Sequence, residues 1–229
     1  MAARAHFDRQ LFKFLADLKR NNDRDWFQAN KRRYEQHVKD PILAFISDFG
    51  PQLEKISPHF RADPRPVGGS MFRIYRDTRF SKDKSPYKTN AGVHFRHDAG
   101  KDVHAPGFYL HMSPGEVFVA GGIWHPDARA LARIREALVD APDRWRKIIN
   151  RKAFAETYRL GGDSLKRPPR GFDPDHPLVE DLKRKDFIIV TDMTEKQVCS
   201  PGFVTELAKT WRKAGPFTRF LCDALDLPF

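Results

Sequence analysis

Residues 107–122 read GFYLHMSPGEVFVAGG. On both sides of Ser113-Pro114-Gly115 apolar and polar side chains alternate, which is the period of a half-buried β-strand. Pro-Gly supplies a turn with proline at its second position and glycine at its third. The same pattern sets the register of the hairpin. With Met112 opposite Val117, Leu110 faces Val119 and the apolar side chains share one face. A slip of one residue puts His111 against Val117 and mixes the faces, which a half-buried sheet resists. The other face then carries Tyr109, His111, Phe118 and Ala120. Gly121-Gly122 is expected to end the second strand or to bulge it.

Working outward, Ala91, Val93 and Phe95 alternate with Gly92, His94 and Arg96, so a preceding strand joins the meander and brings His94 and Arg96 to the polar face. Phe72 and Ile74 alternate with Arg73 and Tyr75 and predict another strand. Phe187 to Val190 predicts one more. The flanks are helical. Phe7, Leu11, Phe14, Leu15 and Leu18 recur at helical spacing behind Asp8 as a cap. A second helix is expected from Asp23, carrying Trp26, Phe27 and Tyr34. A third is expected from Asp40-Pro41, with Ile42, Phe45, Ile46 and Phe49 on one side. After Trp124, Pro126 and Asp127 open a helix that runs to Val139, and a shorter one starts near Pro142. Residues 161–177 are a loop by composition. Two helices, near 202–213 and 217–225, close the chain. These elements predict an α+β fold, a central antiparallel β-meander flanked by N-terminal and C-terminal helices, in a single domain over residues 1–229.

The chain has 229 residues, 41 Lys and Arg against 30 Asp and Glu, and a formal net charge of +11. That balance favours acidic partners. Two cysteines, Cys199 and Cys222, form no disulfide framework and suit a reducing cytosol as small buried hydrophobes. With no secretory leader in the first residues and no long apolar run, the expectation is a cytoplasmic protein with no membrane partner. The oligomeric state is not encoded in any pattern of the sequence.

Charge concentrates in RIYRDTRFSKDKSPYKTN, residues 73–90. Arginine recognises carboxylate and phosphate through paired, charge-assisted hydrogen bonds. Arg73, Arg76 and Arg79 with one internal acid, Asp77, leave surplus positive charge. Asp77 can hold one arginine in place while another meets a ligand. On a regular strand Arg73 and Arg76 point to opposite faces, so they cooperate only if the strand ends or bulges near Tyr75. The alternative is an Arg–Asp–Tyr network that only fixes a turn.

Within this stretch R-x-x-R-D-x-R-F-x-x-D-K-x-x-Y is spelled by Arg73, Arg76, Asp77, Arg79, Phe80, Asp83, Lys84 and Tyr87. It resembles the signature of the family called domain of unknown function 2461, found in bacteria and fungi. YKTNAGVHF, PGFYLHMSPGEVFVAGGIWHP, GFDPDHP and LKRKDF are similar to further blocks of that family, so the resemblance spans nearly the whole chain. It implies one domain of about this length and brings no established activity, cofactor or catalytic residue. It adds weight to the three arginines as functional groups.

The leading expectation is therefore a binder of a small anionic ligand, phosphate- or carboxylate-bearing. Its pocket would lie where residues 73–88 meet the polar sheet face. Arg73, Arg76 and Arg79 bind the anion, Asp77 holds an arginine, Lys84 adds charge, Tyr87 orients or stacks, and Arg96 and Tyr109 complete the site. If there is a reaction, His94 or His111 carries the proton. A nucleic-acid module is the second expectation, since basic groups lie beside Phe80, Tyr87, Phe95 and Trp124, although no recognised binding motif is present. A structural or adaptor protein is the third. His94, His104, His111, His125 and Glu116 have no metal-ligand spacing, and no phosphate loop or nucleophile elbow is found, so no metal or cofactor is expected.

Overall fold

In the computed structural model, which describes residues 5–100 and 105–229, the 107–122 hairpin forms the middle of an antiparallel sheet. Its strands are β1 (Phe60–Arg61), β2 (Ala91–His97), β3 (Gly107–Ser113), β4 (Glu116–Ile123), β5 (Arg159–Gly161) and β6 (Phe187–Met193), in the order β1-β2-β3-β4-β6-β5. The register is the one the hydrophobic pattern requires: Leu110 faces Val119 and Met112 faces Val117. Gly115 takes a φ of 78°, which suits glycine in the third position of the turn.

β4 does not end at Gly121-Gly122. It runs on through both glycines, with Gly122 opposite Ile188 and Ile123 opposite Phe187. Gly122 has a φ of 113°, and a Cβ there would lie 2.1 Å from the Phe187 carbonyl oxygen. Glycine at this point lets β6 close on β4 without a break.

Before the sheet come α1 (Arg9–Arg20), α2 (Arg24–Ala29) and α3 (Lys31–Tyr34), then a π-helical turn at Glu35–Lys39 that leads into α4 (Asp40–Glu54). Asp8 caps α1, accepting from the Gln10 N–H at 2.8 Å, and Asp23 caps α2. One expectation is corrected here. The second helix stops at Asn30, so Tyr34 belongs to the next one. The third helix starts at Asp40-Pro41 as expected, with the π turn running directly into it. Pro41 cannot donate to a carbonyl one turn back, and the wider π turn ahead of it accommodates the ring.

After β4 the chain forms α5 (Ala128–Asp140), α6 (Pro142–Ile149), α7 (Lys152–Ala155), α8 (Val179–Leu182), α9 (Glu195–Val198) and α10 (Phe203–Ala224). Asp127 caps α5 as expected, accepting from Ala130 N–H at 2.7 Å. Buried Arg135 of α5 donates to the carbonyls of Leu182 and Arg184, at 2.7 and 3.0 Å, and so satisfies the end of α8. The two closing helices expected near 202–213 and 217–225 are one helix, which runs through Pro216. A proline inside a helix costs about 3 kcal/mol. Burying Trp211, Phe217, Phe220 and Leu221 on one continuous face returns roughly 1.5–3 kcal/mol each.

The strand expected at 72–75 is also absent as a ladder. Phe72 N–H donates to Gly92 in β2, but Ile74 and Arg76 turn away to pair with Lys88 and Pro86 in their own loop. Single bridges, Met71 to Val93 and Tyr75 to Tyr87, are what remain of the pattern.

α4 and α10 pack on one face of the sheet. Phe95 and Phe108 meet Trp211 with ring centroids 5.6 and 5.3 Å apart, and Phe49 stacks on Phe95 at 5.2 Å. Cys222 is buried in this core and Cys199 half-buried, both as free thiols. No helix of the described residues is long and apolar enough to cross a membrane.

Candidate functional site

The strand period that buries Phe95, Phe108, Leu110 and Val119 against the helices turns the intervening residues to the outer face of the sheet. Adjacent positions there follow from the register. His94 faces Tyr109, His111 faces Phe118 on one side and Gly92 on the other, and Ala120 faces Val190. These side chains line a cavity of about 380 Å³, with Phe72, Trp124 and Ile188 completing its walls.

Small residues make the room. A Cβ on Gly107 would fall 2.3 Å from His94 Nε2, and one on Gly92 would fall 2.8 Å from the Tyr109 hydroxyl. Aromatic contacts hold the walls. Phe72 approaches His94 and Tyr109 at 5.9 and 5.8 Å, and His111 stacks on Phe118 at 4.6 Å with rings 7° from parallel.

The ionisable groups of the cavity are held in their uncharged forms. Burial, reinforced by the neighbouring Arg96 charge, lowers His94 to about 4. Burial raises Tyr109 to about 12, with Glu116 adding to it. Burial also lowers His111, against an opposing pull from Glu116. The Tyr109 hydroxyl lies 3.0 Å from His111 Nδ1. A phenol that keeps its proton at neutral pH is the donor in that bond, and the imidazole proton then sits on Nε2.

Positive charge stands beside this cavity at Arg96 and Lys88, with Arg73 near Lys88. Arg96 lies next to His94 on the same face of β2, and its Nε is buried with no hydrogen-bond partner among the described residues. Lys88 Nζ sits 5.2 Å above the Phe72 ring, and its pKa is lowered by burial and by Arg73. Exposed Arg73 has no acid partner among the described residues.

The rest of the arginine stretch is used differently. Arg79 grips Asp77 through two bonds, Nε to Oδ1 at 3.0 Å and a terminal nitrogen to Oδ2 at 2.7 Å, and Asp77 falls to about 2 as a result. Arg76 pairs with Asp83 and reaches Ser81 Oγ at 3.3 Å. Hydrogen bonds from Ser85, then Arg76, hold Asp83 well below the usual carboxylate range. Lys84 donates to the Thr78 carbonyl at 3.0 Å. Tyr87 is buried, stacked on Phe27 at 4.1 Å, with its backbone N–H on Asn22.

Of the residues singled out in the sequence, the structure thus brings His94, Tyr109 and His111 together, with Arg96 beside them. It leaves Arg76, Asp77, Arg79 and Lys84 in a self-paired loop that does not line the cavity, and puts Tyr87 inside. His94 and His111 do not meet across strands, because Tyr109 stands opposite the first and Gly92 opposite the second. His104 lies outside the described residues. The wall residues Phe72, Ile188 and Val190 went unread as site residues, because each was read only as part of a strand whose neighbours the sequence does not reveal, and Trp124 was read only as an exposed aromatic for nucleic acid.

The geometry defines an α+β protein that carries an aromatic cavity on the outer face of an antiparallel sheet. A family model described as conserved hypothetical protein (DUF2461) matches residues 10–220, and the chain belongs to that family. No curated protein matches the chain at a significant level.

Proposed function

We propose that the protein binds a small anionic ligand on the outer sheet face, with an apolar or aromatic body in the cavity and a carboxylate or phosphate at Arg96, Lys88 and Arg73. The observation that carries this is the cavity itself: about 380 Å³, aromatic walls, and a few uncharged polar groups convergent on it. Cations with no acid partner among the described residues, beside an apolar hollow, suit a ligand with one charged end. Arg76, Asp77, Arg79 and Lys84 serve in this reading as the brace of the loop that presents Phe72 and Lys88.

Binding fits these groups better than turnover. A proton-transferring side chain works best with a pKa near the operating pH. His94 at about 4 is far too weak a base for that at pH 7. It can, however, accept a hydrogen bond from a neutral part of a ligand.

The test is a thermal-shift and calorimetric series with aryl carboxylates and aryl phosphates against the intact chain. Binding to the folded state raises stability with ligand concentration, by about 2.7 kcal/mol at a hundred times Kd. Ala120→Phe, which fills the cavity floor, should abolish the shift while leaving the circular dichroism unchanged. Lys88→Gln should weaken the anions only. No shift with any member at millimolar concentration, or a shift that survives Ala120→Phe, overturns the proposal.

A further inference from the structure

At the sheet edge β1 pairs with the end of β2, Phe60 opposite His97 and Arg61 opposite Arg96. That pairing sets His59 against Asp98, whose N–H donates to the His59 carbonyl at 2.7 Å. His59 Nδ1 then lies 3.4 Å from Asp98 Oδ2, and His97 Nδ1 lies 3.4 Å from Asp98 Oδ1. The three ligating atoms fall within 4.8 Å of one another.

We infer that His59, His97 and Asp98 form a binding site for a divalent transition-metal ion, with Zn²⁺ the best match to the donor set. Two imidazole nitrogens and one carboxylate oxygen suit zinc and its neighbours, whereas magnesium and calcium take oxygen ligands. Ligands held about 2.0–2.2 Å from a tetrahedral zinc stand about 3.4 Å apart. Each histidine stands at that distance from one oxygen of Asp98, His59 from Oδ2 and His97 from Oδ1.

The tautomer is also set for it. His97 Nε2 lies 2.8 Å from the Pro228 carbonyl and must donate its proton there. Nδ1 therefore holds the lone pair and points at Asp98. A backbone carbonyl on the far nitrogen is the device that orients metal-binding imidazoles and raises their basicity. The His97 side chain has 0% exposure and lies parallel to the His59 ring, 13° apart at 5.8 Å. The His97 ring is thus fixed before any ion arrives.

Two contacts compete with a metal, one part-buried and one exposed. Ala99 N–H donates to His97 Nδ1 at 3.1 Å, and Ala99 is exposed. Arg61 donates to Asp98 Oδ2 at 3.0 Å through a side chain that is 66% exposed. An exposed pair of that kind contributes little, so a dication can displace it. With three protein ligands, one position of a tetrahedral ion is left to water. The site lies apart from the cavity residues of the outer face and joins β1, β2 and the C-terminal tail.

The experiment uses the full chain, stripped with a chelator and titrated with Zn²⁺ alone by calorimetry and with Co²⁺ by visible absorption. One ion per chain and the intense absorption of a four-coordinate cobalt site are expected. His59→Ala, at a half-exposed position, should keep the fold and weaken Zn²⁺ binding about tenfold or more. Arg61→Ala should tighten it by freeing Asp98. No uptake by the native chain overturns the inference. So does uptake by His59→Ala equal to that of the native chain, which would place the ion on other surface histidines.

Discussion

His94 stands on the cavity floor where its ring occupies the space that a side chain at Gly107 would need. Its pKa of about 4 in the folded chain, against an ordinary 6.5, carries a linkage sign. Between those two values the unfolded chain binds the proton and the folded chain does not. Stability therefore falls as pH drops through the window from 6.5 to 4, by on the order of 1–3 kcal/mol. Urea denaturation at stepped pH should show the slope, and His94→Gln should remove it. An unchanged slope in that variant would mean that other groups produce it. Gly107→Ala forces a Cβ to within 2.3 Å of His94 Nε2. Overpacking of this kind costs about 1–3 kcal/mol, read as a lower urea midpoint at constant m. At this scale the sequence is partly transparent. Period two alone brings His94, Tyr109 and His111 to one face. It cannot reveal that Arg79 turns back onto Asp77 two residues earlier, because a local ion pair and a ligand-binding arginine look alike in a string of letters.

Among the elements, those with long periodic stretches were legible and those decided by their neighbours were not. α1, α5 and the 107–122 hairpin have enough turns or alternations for the pattern to stand out. β1 and β5, of two and three residues, are too short to show a period and exist because β2 and β6 offer them hydrogen bonds. Pro51 and Pro216 suggest breaks, yet both lie inside helices whose apolar faces are buried as one surface. The burial that overrides local propensity is a tertiary quantity. Two substitutions measure these effects. Asp127→Ala removes the cap on Ala130 N–H and should cost about 1 kcal/mol of unfolding free energy. Arg76→Gln breaks a pair whose acid is 60% exposed, so the loss should stay below about 1 kcal/mol. A larger loss from Arg76→Gln would make the arginine loop a structural keystone. Lost ligand binding at unchanged stability would restore Arg76 to the site.

Across the whole molecule, the sheet has two faces with different tasks. One is filled by α4 and α10 with phenylalanine and tryptophan, and the other keeps an aromatic hollow beside cations that have no acid partner among the described residues. The excess of positive charge is dispersed along the chain, at 31–33, 73–88, 166–167 and 183–185. Arginines on every side are matched to acids, as in Arg33 with Asp17 at 2.8 Å and Arg159 with Asp192 at 2.9 Å. Charge dispersed in this way favours a compact anion at the cations beside the cavity over a long polyanion along the surface, and it follows that affinity for nucleic acid should be weak and lost with moderate salt. The tryptophans report on the same division. Trp145 and Trp211 have no exposure, whereas Trp124 is 61% exposed and stands on the cavity wall. A ligand that enters the cavity must therefore change the emission of Trp124 and leave the two core indoles alone. Titration with an aryl phosphate should shift or quench the intrinsic fluorescence with the same midpoint as calorimetry, and Trp124→Phe should abolish the optical change while retaining most of the heat. If the change persists in Trp124→Phe, the ligand sits elsewhere, and the cavity is a packing feature of the sheet rather than its site.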